Sequence, residues 1–306
     1  MATILITGGA GNVASSLAER FAKNEQNVVV VFDNLSTGKR EKVPTEYENC
    51  FFIEGDANDF DQLNLVFEKY DFDYVFHYAA VVGVLRTLEN PINVLHDIEG
   101  FKHILKLSVE HKIKRFVFSS SSEVYGEPVE IPQFEDSTPL NAQLPYAIVK
   151  SVGESFVKSY SQMHGLDYTI FRFFNTYGPK QSTDFVISKF ITQAKNNEDI
   201  TIYGEGNQTR TFCYIDDNTE FTEHIIENDL FINDTVNVGN DDEMTIKELA
   251  TKIIEITNSD SKLVHLPALK EGDMMRRCPD ISKMKSAFHR ELTPLKEGIL
   301  KTAKVL

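Results

Sequence analysis

Tyr146 and Lys150 stand four residues apart in Tyr146-Ala-Ile-Val-Lys150, a stretch of helical character. That spacing puts a phenol and an ammonium on one face. A free phenol ionises near pH ~10 and is a poor base at neutrality. A neighbouring ammonium stabilises the phenolate and lowers that value. The pair could therefore take a proton from a hydroxyl as a hydride leaves the same carbon. Upstream, the serine run Ser119 to Ser122 is followed by Glu123. A hydroxyl of that run could hydrogen-bond the reacting oxygen and pass its proton to Tyr146. Taken singly, each signal has a plain reading, a surface helix pair or a polar strand-to-loop junction. A second signal near the start of the chain changes that.

Residues 3–14 read Thr-Ile-Leu-Ile-Thr-Gly-Gly-Ala-Gly-Asn-Val-Ala, a buried strand running into a glycine turn. Gly8 allows the sharp turn, Gly11 lets the backbone approach a pyrophosphate, and Ala14 is small enough for the following helix to pack. The helix start, with Asn12 and Val13, offers free N–H groups and a positive dipole end to phosphates. Asp33 ends the second strand, where a carboxylate can accept both adenine-ribose hydroxyls and repel a 2′-phosphate. That favours NAD, with Asn34 beside it; Lys39 and Arg40 keep NADP as the lesser alternative. Gly55-Asp56-Ala57 suits contact with the adenine, and Tyr78-Ala79-Ala80 offers small residues along the path of the cofactor. Lys150 could also hold the nicotinamide ribose.

The elements that must position these groups are short apolar runs alternating with helical stretches. Ile4–Ile6, Val28–Phe32, Phe51–Ile53, Tyr74–Phe76, Phe116–Phe118 and Tyr168–Phe171 read as strands buried on both faces. Helices are expected near 12–23, 59–69, 92–110 and 146–164. This rhythm predicts an α/β fold with a doubly wound parallel sheet, whose ligands sit at the carboxyl ends of the strands. After about residue 175 the pattern shifts to helices near 184–196, 217–227, 245–257 and 295–304 with a strand at Ile200–Tyr203. The expected division is a dinucleotide-binding domain over 1–175 and a smaller substrate lobe over 176–306, with some segments able to return to the sheet.

The chain has 306 residues, 42% hydrophobic and 25% charged, with a net charge of −15. Such an acidic balance argues against nucleic acid and anionic membranes as partners. Cys50, Cys213 and Cys278 show no paired or metal-type spacing, which fits a reducing compartment and no metal site. The sequence opens directly on a strand and contains no membrane-spanning run, so a cytoplasmic location is expected.

Six segments together carry a family likeness: Thr7-Gly-Gly-Ala-Gly11, Asp33-Asn-Leu-Ser-Thr-Gly38, Ser119-Ser-Ser-Ser-Glu-Val-Tyr-Gly126, Tyr146-Ala-Ile-Val-Lys150, Arg172-Phe-Phe-Asn-Thr-Tyr-Gly-Pro179 and Gln208-Thr-Arg-Thr-Phe212. Over nearly its whole length the chain resembles the extended short-chain dehydrogenase/reductases of the nucleotide-sugar epimerase/dehydratase family. The resemblance implies a Rossmann-type sheet, tightly held NAD and a nucleoside-diphosphate sugar. It implies Ser121, Tyr146 and Lys150 as the catalytic trio and Asn175 near the substrate diphosphate. Ser122 falls among the substrate contacts, and Arg210 and Arg277 would hold phosphates or a sugar substituent. The plainer reading of Arg276 and Arg277 is a solvated pair. The resemblance also implies a homodimer in which the helices near 92–110 and 146–164 form a four-helix bundle. Four positions depart from the family pattern: Ala14 for a glycine, Asn12-Val13 for an aromatic-Ile pair, and Asp97 where asparagine is frequent.

The reactions weighed all begin with oxidation at C4 of the sugar. A 4-epimerase returns hydride to the other face and needs little beyond Ser121, Tyr146 and Lys150. A 4,6-dehydratase resembles Thr-Asp-Glu where this chain has Ser121-Ser122-Glu123, so the aspartate is missing. A UDP-glucuronate decarboxylase resembles Thr-Ser-Glu there, and Gly204 to Phe212 and Arg277-Cys-Pro-Asp-Ile281 are similar to that subfamily. Yet Asn141-Ala-Gln-Leu-Pro145 lacks the arginine-containing lead-in of the decarboxylases. Epimerisation is placed first, decarboxylation second and dehydration third. Glu123 separates them, as a spectator on a sugar hydroxyl or as a group in C5 chemistry. A non-catalytic dinucleotide sensor comes last, because the Tyr/Lys pair is intact.

Overall fold

The computed structural model describes residues 1–82, 87, 90–268 and 274–306. Its first half alternates β1 (Thr3–Thr7), α1 (Asn12–Ala22), β2 (Val28–Asp33), β3 (Cys50–Glu54), α2 (Phe60–Lys69), β4 (Tyr74–His77), α3 (Pro91–Leu95), α4 (Asp97–Glu110), β5 (Arg115–Ser121), α5 (Pro145–His164) and β6 (Tyr168–Phe173). The second half runs β7 (Thr176–Tyr177), α6 (Val186–Lys195), β8 (Ile200–Tyr203), β9 (Thr209–Arg210), β10 (Cys213–Tyr214), α7 (Ile215–Glu227), β11 (Asp234–Val238), β12 (Met244–Thr245), α8 (Ile246–Thr257), β13 (Leu263–Leu266), α9 (Ser282–Ala287) and α10 (Leu295–Ala303).

Seven strands form one parallel sheet in the order β11-β6-β5-β4-β1-β2-β3. The chain winds outward from β1 to β3, then outward the other way from β4. The carboxyl ends of β1 and β4 therefore flank a crevice of the kind that takes ligands in open α/β sheets. The strands are apolar on both sides because both faces are covered. One face packs Phe21 of α1 and Phe221 of α7 on Phe76 and Phe171. The other packs Phe67, Phe101, Val149 and Val157 on Val75, Phe116 and Phe118. A third cluster joins Ile191, Ile202, Leu249 and Ile299 in the smaller lobe.

The six strands read from the sequence are present. One feature differs from the expectation: the stretch 92–110 is two helices, α3 and α4, divided at His96. Within 176–306, β11 pairs with β6 and α7 packs on the α1 side of the sheet. Asp234-Thr-Val-Asn-Val238 carries too short an apolar run to read as a buried strand, since its buried Asn237 spends its polar atoms inside the protein. Arg20 of α1 fixes α7 through Glu220 at 2.6 Å and Glu223 at 2.8 Å.

Candidate active site

The glycine turn leaves β1 at the crevice. Gly8 has φ +67°, and a Cβ there would lie 2.5 Å from the Ala79 nitrogen, so the turn sits directly on the backbone after β4. Gly11 caps α1 with no side-chain hydrogen bond, which leaves the helix N–H groups free for an anion. Asn12 Oδ1 is buried there without a partner among the described residues. Asp33 shapes the turn from β2: its carboxylate accepts the Ala10 N–H at 2.9 Å and the Leu35 N–H at 2.7 Å. Asn34 donates to Asp56 at 3.2 Å, and Asp56 also accepts the Asn58 N–H at 2.9 Å. Ala57 is buried behind them. Bare helix N–H groups, a cradle that a Cβ would fill and an orphaned polar atom fit a dinucleotide. Two side chains assigned to that cradle lie elsewhere: Val13 packs on the smaller lobe's apolar cluster, and the Tyr78 ring packs edge-on against Phe76 and Phe173. Tyr78 thus leaves its backbone, with Ala79 and Ala80, for the crevice.

Beside the crevice β5 ends at Ser121 and α5 begins. Pro145 opens α5, as its missing N–H suits a first helical position, so Tyr146 stands at the mouth of the helix. One turn on, Lys150 is 2% exposed and donates to the Ser119 carbonyl at 2.7 Å and to its hydroxyl at 3.3 Å. Its Nζ lies 5.8 Å from the centre of the Tyr146 ring. Ser121 accepts the Glu123 N–H at 3.2 Å, and its hydroxyl is near enough to the Tyr146 phenol to favour the ionised form. The predicted trio is therefore one constellation.

The second lobe delivers cations to the same place. Thr209 N–H bonds the Met275 carbonyl at 2.9 Å, which lays β9 beside the 275–277 segment. Arg276 is drawn off to Glu243, with contacts at 3.0 and 2.7 Å. Arg277 turns inward instead. It is 7% exposed, lies 3.4 Å from the Ser122 hydroxyl and 3.8 Å from Glu123, and its Nε has no partner. Arg277 is therefore not solvated as the plainer reading of the pair had it, and its contacts to Ser122 and Glu123 are long. Arg210 is buried and donates to the Thr209 carbonyl at 2.7 Å. Asn175, at φ +31°, spends its amide N–H on the Thr211 carbonyl at 3.0 Å.

Residues 4–239 match the NAD dependent epimerase/dehydratase family. The chain belongs to that family. It is 34% identical over 306 residues to a putative UDP-glucose 4-epimerase of Methanocaldococcus jannaschii, covering 97% of this chain and 95% of that one. It is 35% identical over 302 residues to a UDP-N-acetyl-alpha-D-glucosaminuronate decarboxylase of Bacillus cytotoxicus, covering 93% and 92%. The crystal structure of UDP-glucose 4-epimerase with UDP-glucose from Thermotoga maritima superposes with a TM-score of 0.93 at 30% identity, covering 99% and 98%. Relatives of both reaction types thus lie at similar distance.

Within this epimerase/dehydratase frame the electrostatics of the trio differ from the simple spacing argument. Burial pushes the Tyr146 phenol above its ordinary value; Glu123 and Asp97 add to the rise, and Ser121 and Arg277 oppose it. Burial also lowers Lys150 to about 8, with Asp97 pulling it back up. The ammonium is bonded to the Ser119 carbonyl, and in the protein alone desolvation is the largest effect on both groups. Asp97, to which the sequence assigned no role, accepts the Val81 N–H at 2.9 Å and is the carboxylate that favours charged Lys150. Its position on a separate helix hid that link.

Proposed function

We propose that this member of the family is an NAD-dependent nucleoside-diphosphate-sugar 4-epimerase that works through transient oxidation at C4. The observation that carries this reading is the convergence of Ser121, Tyr146 and Lys150 beside a dinucleotide cradle. Bound NAD would supply the hydride acceptor. Tyr146 would take the proton of the 4-hydroxyl, with Ser121 holding that oxygen and Lys150 supporting the phenolate, and return it when hydride comes back. The diphosphate would lie toward Asn175 and Arg210. Asn141 to Pro145 adds no cation beside Tyr146: Asn141 is bonded to the Val124 carbonyl and packs under Gly126. We also infer a homodimer through α4 and α5, where Ile148 and Met163 are exposed beside a groove of about 700 Å³ lined by Leu140, Val152 and Phe156.

Decarboxylation is the second reading, favoured by Arg277 and Glu123 meeting at 3.8 Å next to Ser122. An inward guanidinium with an unpartnered Nε is suited to a sugar carboxylate. The experiment is incubation with UDP-, dTDP-, GDP- and CDP-sugars, UDP-glucuronate included, followed by NMR. The expected product is the C4 epimer with no carbon or water lost. A pentose product with CO₂ release makes the protein a decarboxylase, and a 4-keto-6-deoxy sugar makes it a dehydratase. No reduction of bound NAD by any of these sugars leaves the sensor reading.

A further inference from the structure

Glu154 lies one turn beyond Lys150 on α5 and is 2% exposed. Its carboxylate meets Arg172 of β6 in a bidentate pair, Nε to Oε1 at 2.9 Å and Nη2 to Oε2 at 2.8 Å. The Ser120 hydroxyl donates to Oε1 at 2.6 Å. Arg172 Nη1 donates to the Tyr125 hydroxyl at 2.9 Å and to the Glu135 carbonyl at 3.0 Å. Tyr125 donates to Asn237 Oδ1 at 2.8 Å, and the Asn237 amide donates to the Gln133 carbonyl at 2.9 Å. Gln133 N–H then bonds the Cys278 carbonyl at 2.9 Å. This is one continuous buried path across α5, β5, β6 and β11.

Each part of the path adjoins a group of the proton-transfer site. Ser120 precedes Ser121, Tyr125 lies two residues after Glu123, Glu154 follows Lys150 by one helical turn, and Cys278 follows Arg277. Burying an ion pair is a poor route to stability, since desolvation offsets most of the attraction and an apolar pair of similar volume often replaces it without loss. What directional bonds add is register: apolar surfaces can slide, whereas a two-point guanidinium–carboxylate contact cannot.

We propose that the Glu154–Arg172 pair is a positioning device that fixes the helix carrying Tyr146 and Lys150 against the strand end carrying Ser121. Through Tyr125 and Asn237 it holds the Arg277 segment in the same frame. The proposal rests on the C4-oxidation reading of the site and goes beyond it, since every reaction weighed above would need this alignment.

The test replaces both partners at once, Glu154→Met with Arg172→Met, in protein loaded with NAD. Three readings are taken: the thermal midpoint, KM and kcat, and the ionisation of Tyr146. The last uses ¹³C-labelled tyrosine in NMR, assigned by comparison with Tyr146→Phe. The expected result is a folded protein with a near-wild-type midpoint and KM, and kcat lowered about 10- to 100-fold, the loss that ~1 Å of misplacement brings. The Tyr146 titration should also shift as its phenol moves relative to Ser121 and the carboxylates around it. A folded double variant with wild-type kcat and unchanged Tyr146 titration overturns the proposal. Should that variant not fold, Ser120→Ala removes one hydroxyl from the pair and leaves the ions in place. A fall in kcat of about threefold or more at constant KM and midpoint then supports the role, and wild-type kcat with wild-type titration refutes it. Wild-type protein inert toward every nucleotide sugar would sink the functional reading, while the Tyr146 titration would still decide the positioning one.

Discussion

Two opposing effects meet at Tyr146. Its phenol is buried beside two carboxylates that oppose ionisation, while Ser121 and Arg277 favour it. Burial and the carboxylates outweigh the other two, so the phenol is held in its neutral form in the protein alone. Tyr146→Phe removes the oxygen proposed to take the sugar proton. It should lower kcat by about 10²- to 10⁴-fold, the usual weight of a general base, while NAD remains bound; cofactor absorbance and turnover measure the two separately. Lys150 gives a prediction in pH. Burial holds it at about 8 in the folded protein, below its ordinary value of 10.5. Between those limits the unfolded chain binds more protons, so the contribution of Lys150 to stability rises with pH. Lys150→Met carries no such term. The stability of wild type relative to Lys150→Met should therefore climb by about 1–2 kcal/mol from pH 8 to 10. Paired urea titrations measure this difference, in which the cysteines and tyrosines common to both proteins cancel. A constant difference would mean that Lys150 titrates as an ordinary surface amine.

At the scale of elements, α5 does two things at once. One face carries Tyr146, Lys150 and Glu154 toward the sheet end, and the same face must approach β5 closely enough for Lys150 to reach the Ser119 carbonyl. Gly153 permits that approach, since a Cβ there would collide with Cζ of Phe118. Gly153→Leu should force α5 away from β5, destabilise the fold by about 1–3 kcal/mol and lower turnover further than the stability loss explains. Urea midpoint and kcat at a fully folded temperature separate these effects. A variant with wild-type values for both would show that α5 has room to spare. The spacing of Tyr146 and Lys150 was legible in the sequence because helical periodicity is local. The role of Asp97 was not, because its links to Val81 and Lys150 cross from α4 to other elements.

The whole molecule is acidic, with a net charge of −15, yet its second lobe turns Arg210 and Arg277 inward. In the proposed reading an anionic substrate would meet these buried cations and not the acidic surface. Lys180 joins the start of that lobe to the first domain, with Nζ 2.8 Å from Glu19 and 3.2 Å from the Lys42 carbonyl. The exposed apolar residues of α5 face away from this cleft. Ile148→Asp with Met163→Asp should convert the proposed dimer to a single chain in sedimentation while NAD stays bound. Wild-type protein that already sediments as one chain would remove the four-helix interface from the account.

The sequence by itself determined the parallel sheet, the glycine cradle and the Tyr146–Lys150 face, because apolar periodicity and tight turns are written in neighbouring residues. Tertiary structure alone decided that β11 returns to the sheet, that Arg277 turns inward while Arg276 is held by Glu243, and that Glu154, Arg172 and Ser120 form one buried knot. Each of those outcomes depends on which distant groups share a low-dielectric interior, where a charge must find a partner or pay the full cost of leaving water, and chain order does not record that proximity.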